Sequence, residues 1–208
     1  GPTLPAEYGG LDLSMEDECL VAVELGRTSP AFRSAFGTNV GIGSQGLVMF
    51  GTDEQKAKYL PGIASGEIIT SFALTEPEAG SDSANVQTRA IREGDHWLLS
   101  GTKRWAGFAL AANFIEVLAR TREPKQGQPH SAGLEIFLVV KQPGTFPDGM
   151  TGHVIDKIGY HGFLTWHLEL DGVRVPEGDR LTGLYGDEGA DADLGGFAAV
   201  QRGLNIAR

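Results

Sequence analysis

The spacing of apolar residues changes along the chain, from a period typical of helices to one typical of strands. Between residues 14 and 66, apolar positions recur three and four residues apart, which is the pattern of helices with one buried face. Thr52 followed by Gln55 fits the signature of a capped helix start. This helix is expected to end before Pro61, because proline disfavours helical backbone in the residue that precedes it.

A glycine-rich apolar segment lies between two of these predicted helices. Residues 39–50 are mostly apolar but include Gly41, Gly43 and Gly46. Each glycine inside a helix costs roughly 1 kcal/mol relative to alanine. The segment is therefore expected either to pack its backbone closely against a neighbour or to form a distorted helix held by its surroundings.

From about residue 68 the pattern is that of short strands. Runs rich in β-branched and aromatic residues are separated by clusters of Gly, Pro, Asn and Asp. Helical spacing returns after about residue 193. Helices, then strands, then helices indicate an α+β fold rather than an alternating α/β fold. The predicted strands lie at residues 68–75, 97–99, 114–118, 134–140 and 166–170.

These patterns predict three parts. Residues 1–67 form part of an N-terminal helical domain, and residues 68–178 form a middle domain with an antiparallel β-barrel or sandwich. Residues 179–208 form a linker and the first helix of a C-terminal helical bundle. Both chain ends are expected to be cut, because the sequence does not begin with Met and its last helical pattern lacks a stop signal.

Composition excludes several classes of protein. Hydrophobic residues make up 41% of the chain, enough for a core, and the 30 glycines among 208 residues are about twice the ordinary share of about 7%. The net charge of −10 disfavours a nucleic-acid partner, and no apolar run reaches the roughly 18 residues of a membrane span. The single Cys19 favours a reducing compartment. We expect a bacterial cytoplasmic protein rather than one of the mitochondrial matrix.

The segment with the most informative chemistry spans residues 72–82. A strand enters a turn that is fixed by Pro77 and opened by Gly80, and Ser81 and Asp82 follow at once. Strand backbone can bond the edge of a planar heterocycle, and a glycine-opened turn can hold a phosphate. The alternative is a plain hairpin connection in which the two polar side chains satisfy the turn backbone.

The same segment resembles the TEPxAGSD signature of the acyl-CoA dehydrogenase family, FAD enzymes that desaturate acyl-CoA thioesters. Five further blocks resemble family motifs in the same order and at the same spacing. They are residues 4–10 (LPAEYGG), 51–61 (GTDEQK and YLP), 101–105 (GTKRW), 157–165 (KIGYHG and a later Thr) and 173–176 (VRVP). Together they extend over nearly the whole chain.

The resemblance implies positions for a flavin and for an acyl-CoA. Leu74 and Thr75 would face the polar edge of the flavin ring, and Trp105 would stack beside it. Ser81 and Arg202 would contact the acyl-CoA. The alternative for Trp105 is a core-filling side chain, and for Arg202 a solvated helix charge. The implied FAD-binding residues are Phe72, Leu74, Thr75, Gly80, Ser81, Trp105, Ala106 and Gly107.

Three positions depart from the family pattern. Ala106 and Gly107 stand where the family has Ile followed by Thr or Ser, so a contact to the flavin would come from the Gly107 N–H. His161 replaces an arginine. Gln201 cannot accept a proton, and the usual catalytic base lies further along than this chain extends. No catalytic residue is therefore assigned here, and no metal site is expected.

The resemblance implies α-proton abstraction with β-hydride transfer to flavin, with an electron-transfer flavoprotein as the acceptor. It also implies a homo- or hetero-oligomer, either a dimer or a tetramer. Two alternatives remain open. A same-fold acyl-CoA oxidase or flavin monooxygenase is favoured by the missing hydroxyl at Gly107. A flavin-binding, non-catalytic subunit of a heteromeric dehydrogenase is the other.

Overall fold

In the computed structural model, which describes residues 1–182, the helices precede the strands. The four α-helices are α1 (Met15–Thr28), α2 (Pro30–Val40), α3 (Gln45–Phe50) and α4 (Asp53–Ser65). This order confirms the predicted helical N-terminal part. Residues 183–208, with Gln201, Arg202 and the predicted start of the C-terminal bundle, lie outside the described residues.

Helix α4 begins as predicted but does not end where predicted. Thr52 and Gln55 form a reciprocal capping box at its start. The helix then runs through Pro61 to Ser65 and ends at Gly66 in the left-handed conformation. The predicted stop before Pro61 is wrong because tertiary packing outweighs the local penalty: Leu60 and Ile63, which flank the proline, are fully buried.

The glycine-rich segment breaks into α2, a four-residue turn and α3, and it packs closely on the first strand, β1 (Thr70–Ala73). A Cβ at Gly43 would lie 2.0 Å from the Thr70 hydroxyl oxygen, so only glycine fits there. At the end of α2, the Asn39 side chain accepts a hydrogen bond from the Thr70 N–H at 2.7 Å. The predicted close backbone approach is confirmed.

A single curled sheet of seven strands forms the second half of the described chain. After β1 come β2 (Arg89–Glu93), β3 (His96–Gly107), β4 (Phe114–Arg120), β5 (Leu134–Val140), β6 (Met150–Val154) and β7 (Thr165–Pro176). The strand order is β1-β4-β2-β3-β7-β6, with β5 also paired to β4.

The sheet is mixed rather than purely antiparallel. Most neighbouring strands are antiparallel, but β4 pairs in parallel with both β1 and β2. Strands β2 and β6 were not predicted, because their sequences, RAIRE and MTGHV, are short and largely polar. The helices followed by this half-barrel sheet confirm the α+β class.

Strand β4 separates two hydrophobic cores and is buried along its whole length. Ile115 and Val117 belong to the core inside the curled sheet, whereas Phe114 and Leu118 pack with the helices on the other face. The end of β1, which runs beside β4, is thereby fixed between helices and sheet. Within residues 1–182, no helix has the length and apolar character needed to cross a bilayer.

Candidate functional site

The turn that follows β1 is closed by its own backbone and presents its far end to solvent. The Glu76 N–H donates to the Ala79 carbonyl at 3.0 Å, and the Ala79 N–H donates back at 3.3 Å. Gly80 and Ser81, next along the chain, are exposed. A Cβ at Gly80 would meet no protein atom within 4 Å, so nothing in the described structure occupies the space beside it.

Glu76 anchors this turn to the strand that follows. Its carboxylate accepts hydrogen bonds from the backbone N–H groups of Gln87 (2.7 Å) and Thr88 (2.9 Å) and from the Thr88 hydroxyl. The Glu76 side chain is almost fully buried. These hydrogen bonds show that Glu76 helps to shape the turn.

Lys103 of β3 connects the same carboxylate to the end of β1. Its ammonium donates to Glu76 at 2.8 Å and to the Leu74 carbonyl at 3.1 Å, and its side chain has no exposed surface. A buried ion pair depends on further hydrogen bonds to offset its desolvation, and here Thr88, Gln87 and the Leu74 carbonyl supply them. The pair therefore fixes the position of the strand end.

Burial and charge oppose each other within this pair. Burial lowers the pKa of Lys103 to about 8, although the neighbouring Glu76 carboxylate partly offsets this effect. Burial alone would raise the pKa of Glu76, but Lys103 and the hydrogen bonds from Thr88 and Gln87 outweigh it and hold that pKa below its usual value. Both groups are charged at neutral pH.

Trp105 occupies a bulge in β3, directly after Lys103 and Arg104. Between the pairs Lys103–Leu168 and Ala106–Trp166, β3 has two residues where β7 has one. Trp105 has φ of 64°, a left-handed conformation that bulky residues rarely adopt, and 50% of its surface is exposed. Such strained bulges occur often at functional sites, where they redirect a side chain.

The bulge and the strand end are bonded directly. The Arg104 N–H donates to the Thr75 carbonyl at 2.7 Å. The carbonyls of Leu74 and Thr75, which follow β1, therefore both accept hydrogen bonds from residues of β3. The hydrogen bond from Arg104 therefore links the segment of Leu74 and Thr75 to the residue that precedes Trp105, whose indole is half-exposed.

Three other predicted cofactor residues are less accessible to a ligand. Phe72 is half-buried, and the Ala106 side chain lies fully inside the sheet core, so only its backbone could contact a ligand. Gly107 is buried, and a Cβ there would lie 2.6 Å from the Phe163 ring. The packing of Phe163 accounts for a glycine at this position, whose N–H was expected to contact the flavin.

Sequence reasoning missed the role of Arg120 at the end of β4. Its guanidinium, in a residue only 6% exposed, donates to backbone carbonyls on two loops. Ala84 accepts at 2.8 Å and His130 at 3.1 Å, with further bonds to Val86 and Ala132. Arg120 also lines a groove of about 420 Å³ near the turn. Its only signal in the sequence is a cation that ends an apolar strand.

A second concavity, of about 220 Å³, lies among the helices and was also missed. Cys19 of α1, Arg33 and Thr38 of α2, and Gln45 of α3 are among its lining residues. No feature of the sequence distinguishes these residues from other helix positions. Within residues 1–182, no group of three or more His, Cys, Asp or Glu side chains is arranged to hold a metal ion.

Comparisons with known proteins match both halves of the described chain. Residues 1–67 match the acyl-CoA dehydrogenase N-terminal domain, and residues 71–173 match the acyl-CoA dehydrogenase middle domain. The (2S)-methylsuccinyl-CoA dehydrogenase of Cereibacter sphaeroides is 38% identical over 191 residues, which are 89% of this chain and 34% of that protein.

Solved structures show the same relationship. The glutaryl-CoA dehydrogenase of Mycobacterium smegmatis has a TM-score of 0.81 at 35% identity, covering 100% of this chain and 48% of that one. An acyl-CoA dehydrogenase of Bacillus anthracis, solved in complex with FAD, has a TM-score of 0.82 at 31% identity, covering 99% and 32%. This chain spans 32–48% of the length of these relatives. With both of its halves matched, the chain belongs to the acyl-CoA dehydrogenase family.

Proposed function

We propose that the protein containing this chain is an FAD-dependent acyl-CoA dehydrogenase that desaturates an acyl-CoA thioester between its α- and β-carbons. The observation that carries the proposal is the half-exposed Trp105 in a strained bulge, bonded to the strand end at Thr75 through Arg104. An indole held outside the core offers a flat apolar surface to a flavin. The adjacent strand end offers polar groups to the edge of the same ring.

The residues at the strand end fit a flavin. The Leu74 and Thr75 carbonyls are engaged by Lys103 and Arg104, so the Thr75 N–H and hydroxyl are the groups left for a ligand. Trp105 shields one side of the ring from water. The open space beside Gly80 suits close approach of a ligand to the backbone.

The thioester is proposed to lie beside the turn. Ser81 meets the CoA portion, and Lys125 is the groove-lining cation proposed to contact a CoA phosphate, since Arg120 is already bonded to four backbone carbonyls. FAD held by Thr75 and Trp105 would supply the acceptor for a hydride from the acyl β-carbon. A carboxylate must remove the α-proton, and by family resemblance it lies beyond Arg208.

The proposal extends to partners and location. An electron-transfer flavoprotein is the proposed electron acceptor, and a dimer or tetramer is the proposed assembly, because family resemblance implies both. A bacterial cytoplasmic location is also proposed, and the single cysteine fits the reducing compartment that it requires. The three-part division at residues 67 and 178 also remains a proposal.

The alternative function is that of a same-fold oxidase or monooxygenase. The observation in its favour is Gly107, which lacks the hydroxyl that family members place near the flavin. Phe163 packs over this glycine, so the backbone there is less open to oxygen than the sequence alone implied. We therefore rank the dehydrogenase first.

Anaerobic titration of the FAD-loaded, full-length protein with saturated short, branched, long and dicarboxylic acyl-CoA thioesters tests the proposal. Bleaching of the flavin absorbance, with a product two hydrogens lighter by mass spectrometry, is expected for at least one thioester. Bleaching by dithionite but by none of the thioesters would instead indicate a non-catalytic flavin subunit. Fast reoxidation of the bleached protein in air, followed by stopped flow, would favour the oxidase.

A further inference from the structure

We propose that Lys103 is a positioning residue that raises the reduction potential of the bound flavin, by orienting and polarising the peptide group between Leu74 and Thr75. The inference rests on the proposed function, because it requires a flavin at the end of β1. Lys103 does not itself contact the flavin in this account. It acts through one peptide group that it holds by hydrogen bonding.

The orientation follows from peptide geometry. The described chain contains no cis peptide bond, so the C=O and N–H of each peptide point in opposite directions. Because the Leu74 carbonyl points at the Lys103 ammonium, the Thr75 N–H points away from it. The next peptide is fixed at both ends, by Arg104 on the Thr75 carbonyl and by Ala79 on the Glu76 N–H. The Thr75 N–H therefore has one fixed direction.

The arrangement of charge adds to this effect. On Glu76, Gln87 bonds Oε2, whereas Thr88 and Lys103 both bond Oε1. The same ammonium also bonds the Leu74 carbonyl and so places a positive charge against it. In a low-dielectric interior, a cation bonded to a carbonyl polarises the peptide and makes its N–H a stronger donor. Lys103 has no exposed surface, so water does not screen this effect.

The consequence for a flavin is a preference for its reduced form. Two-electron reduction places negative charge on the pyrimidine edge of the ring, the edge that the Thr75 N–H is proposed to face. A preorganised donor stabilises charge that develops at the position it faces. The reduced flavin therefore gains more from Lys103 than the oxidised flavin does, and electron transfer from a thioester becomes more favourable.

The test compares the affinities of the oxidised and reduced flavin in the full-length protein. The variant Lys103→Met/Glu76→Gln removes both charges and so avoids an unpaired buried ion. The ratio of reduced-flavin to oxidised-flavin affinity is expected to fall at least tenfold, which for a two-electron couple is about 30 mV. Oxidised FAD should still bind, with a smaller loss of affinity.

Further variants separate charge from packing. Lys103→Arg is expected to keep the affinity ratio within twofold of the wild-type value. Lys103→Gln/Glu76→Gln keeps polar groups at both positions and serves as the test if the apolar variant does not fold. It should shift the affinity ratio in the same direction. The control is Arg180→Met/Glu135→Gln, which removes a partly exposed ion pair (2.5 Å) between β5 and the segment that follows β7. It should lower the melting temperature without changing the ratio.

Three results would overturn the inference. If both charge-removing variants fold, bind FAD and keep the affinity ratio within twofold, Lys103 serves only the fold. If the Arg180 control shifts the ratio equally, the effect is general destabilisation. If wild-type protein binds no FAD, the proposed function itself fails, and this inference fails with it.

Discussion

Trp105 combines two features that cost free energy, an exposed aromatic ring and a left-handed backbone. Its partner in sequence, Arg104, lies with its guanidinium carbon 5.4 Å from the centre of the indole ring. Neither feature contributes to the hydrophobic core. A strained residue persists when its surroundings hold it in place, and here the hydrogen bond from Arg104 to Thr75 does so. We propose that a bound ligand covers this ring.

Replacing Trp105 by glycine separates function from stability. Glycine adopts φ of 64° without strain, so Trp105→Gly is expected to stabilise the fold by about 1 kcal/mol or leave it unchanged. The affinity for FAD should fall at least tenfold. Thermal unfolding and FAD titration measure the two effects.

The control for this prediction is Trp97→Ala. Trp97 is 8% exposed and belongs to the sheet core, so its loss should lower stability by about 3 kcal/mol or more. A Trp105→Gly protein that melts like Trp97→Ala yet binds FAD normally would show that Trp105 merely fills the core.

Glu116 is a carboxyl group on β4 that, unlike the exposed Trp105, is completely buried. Within residues 1–182, neither of its side-chain oxygens has a hydrogen-bond partner, and a Cβ at Gly46 of α3 would lie 3.1 Å from one of them. Burial raises the pKa of Glu116 to about 8. The folded protein therefore holds a proton that the unfolded chain releases near pH 4.5.

The sign of the resulting pH dependence follows from linkage. Between pH 4.5 and 8 the folded state binds the extra proton, so stability decreases as pH rises, by up to about 1.4 kcal/mol per pH unit from this group. Glu116→Gln does not titrate. Its stability relative to wild type should rise from pH 5 to pH 8, and a constant difference in melting temperature across that range would contradict the assignment.

At the scale of elements, the proposed site is the junction of the β1 end with the β3 bulge. The sequence predicted β1, its turn and a strand around Trp97, and family resemblance singled out Thr75 and Trp105. The bulge could not be predicted, because it depends on the register of β3 against β7, some 65 residues away along the chain. The contact of Lys103 with Glu76 was hidden for the same reason, since 27 positions separate them.

Gly107 at the end of β3 provides a test at this scale. Gly107→Ser restores the hydroxyl of the family pattern, but its Cβ would meet the Phe163 ring at 2.6 Å. Overpacking of this kind costs about 1–3 kcal/mol. The single variant should therefore have a lower melting temperature.

Adding Phe163→Ala to Gly107→Ser should recover part of the loss, since the colliding ring is removed. The coupling between the two substitutions is measured by a double-mutant cycle in chemical denaturation. Strictly additive effects would mean that the two residues are not in contact.

At the scale of the whole molecule, helices cover one face of a curled mixed sheet, and the site lies where the first strand leaves that sheet. The α+β class was readable from the change in hydrophobic period. The parallel pairing of β1 with β4 could not be predicted, because strands that are distant in sequence pair without any local signal in the sequence. Arg202 lies outside the described residues, so its role in acyl-CoA binding remains a prediction.

The most direct test of the account is the flavin content of the full-length protein. After incubation with FAD and removal of free cofactor, the protein should be yellow and hold about one FAD per chain, released intact when the protein is denatured. Trp105→Gly should retain much less. A folded wild-type protein that stays colourless after FAD addition would contradict the assignment of the β1 end and the β3 bulge as a flavin site.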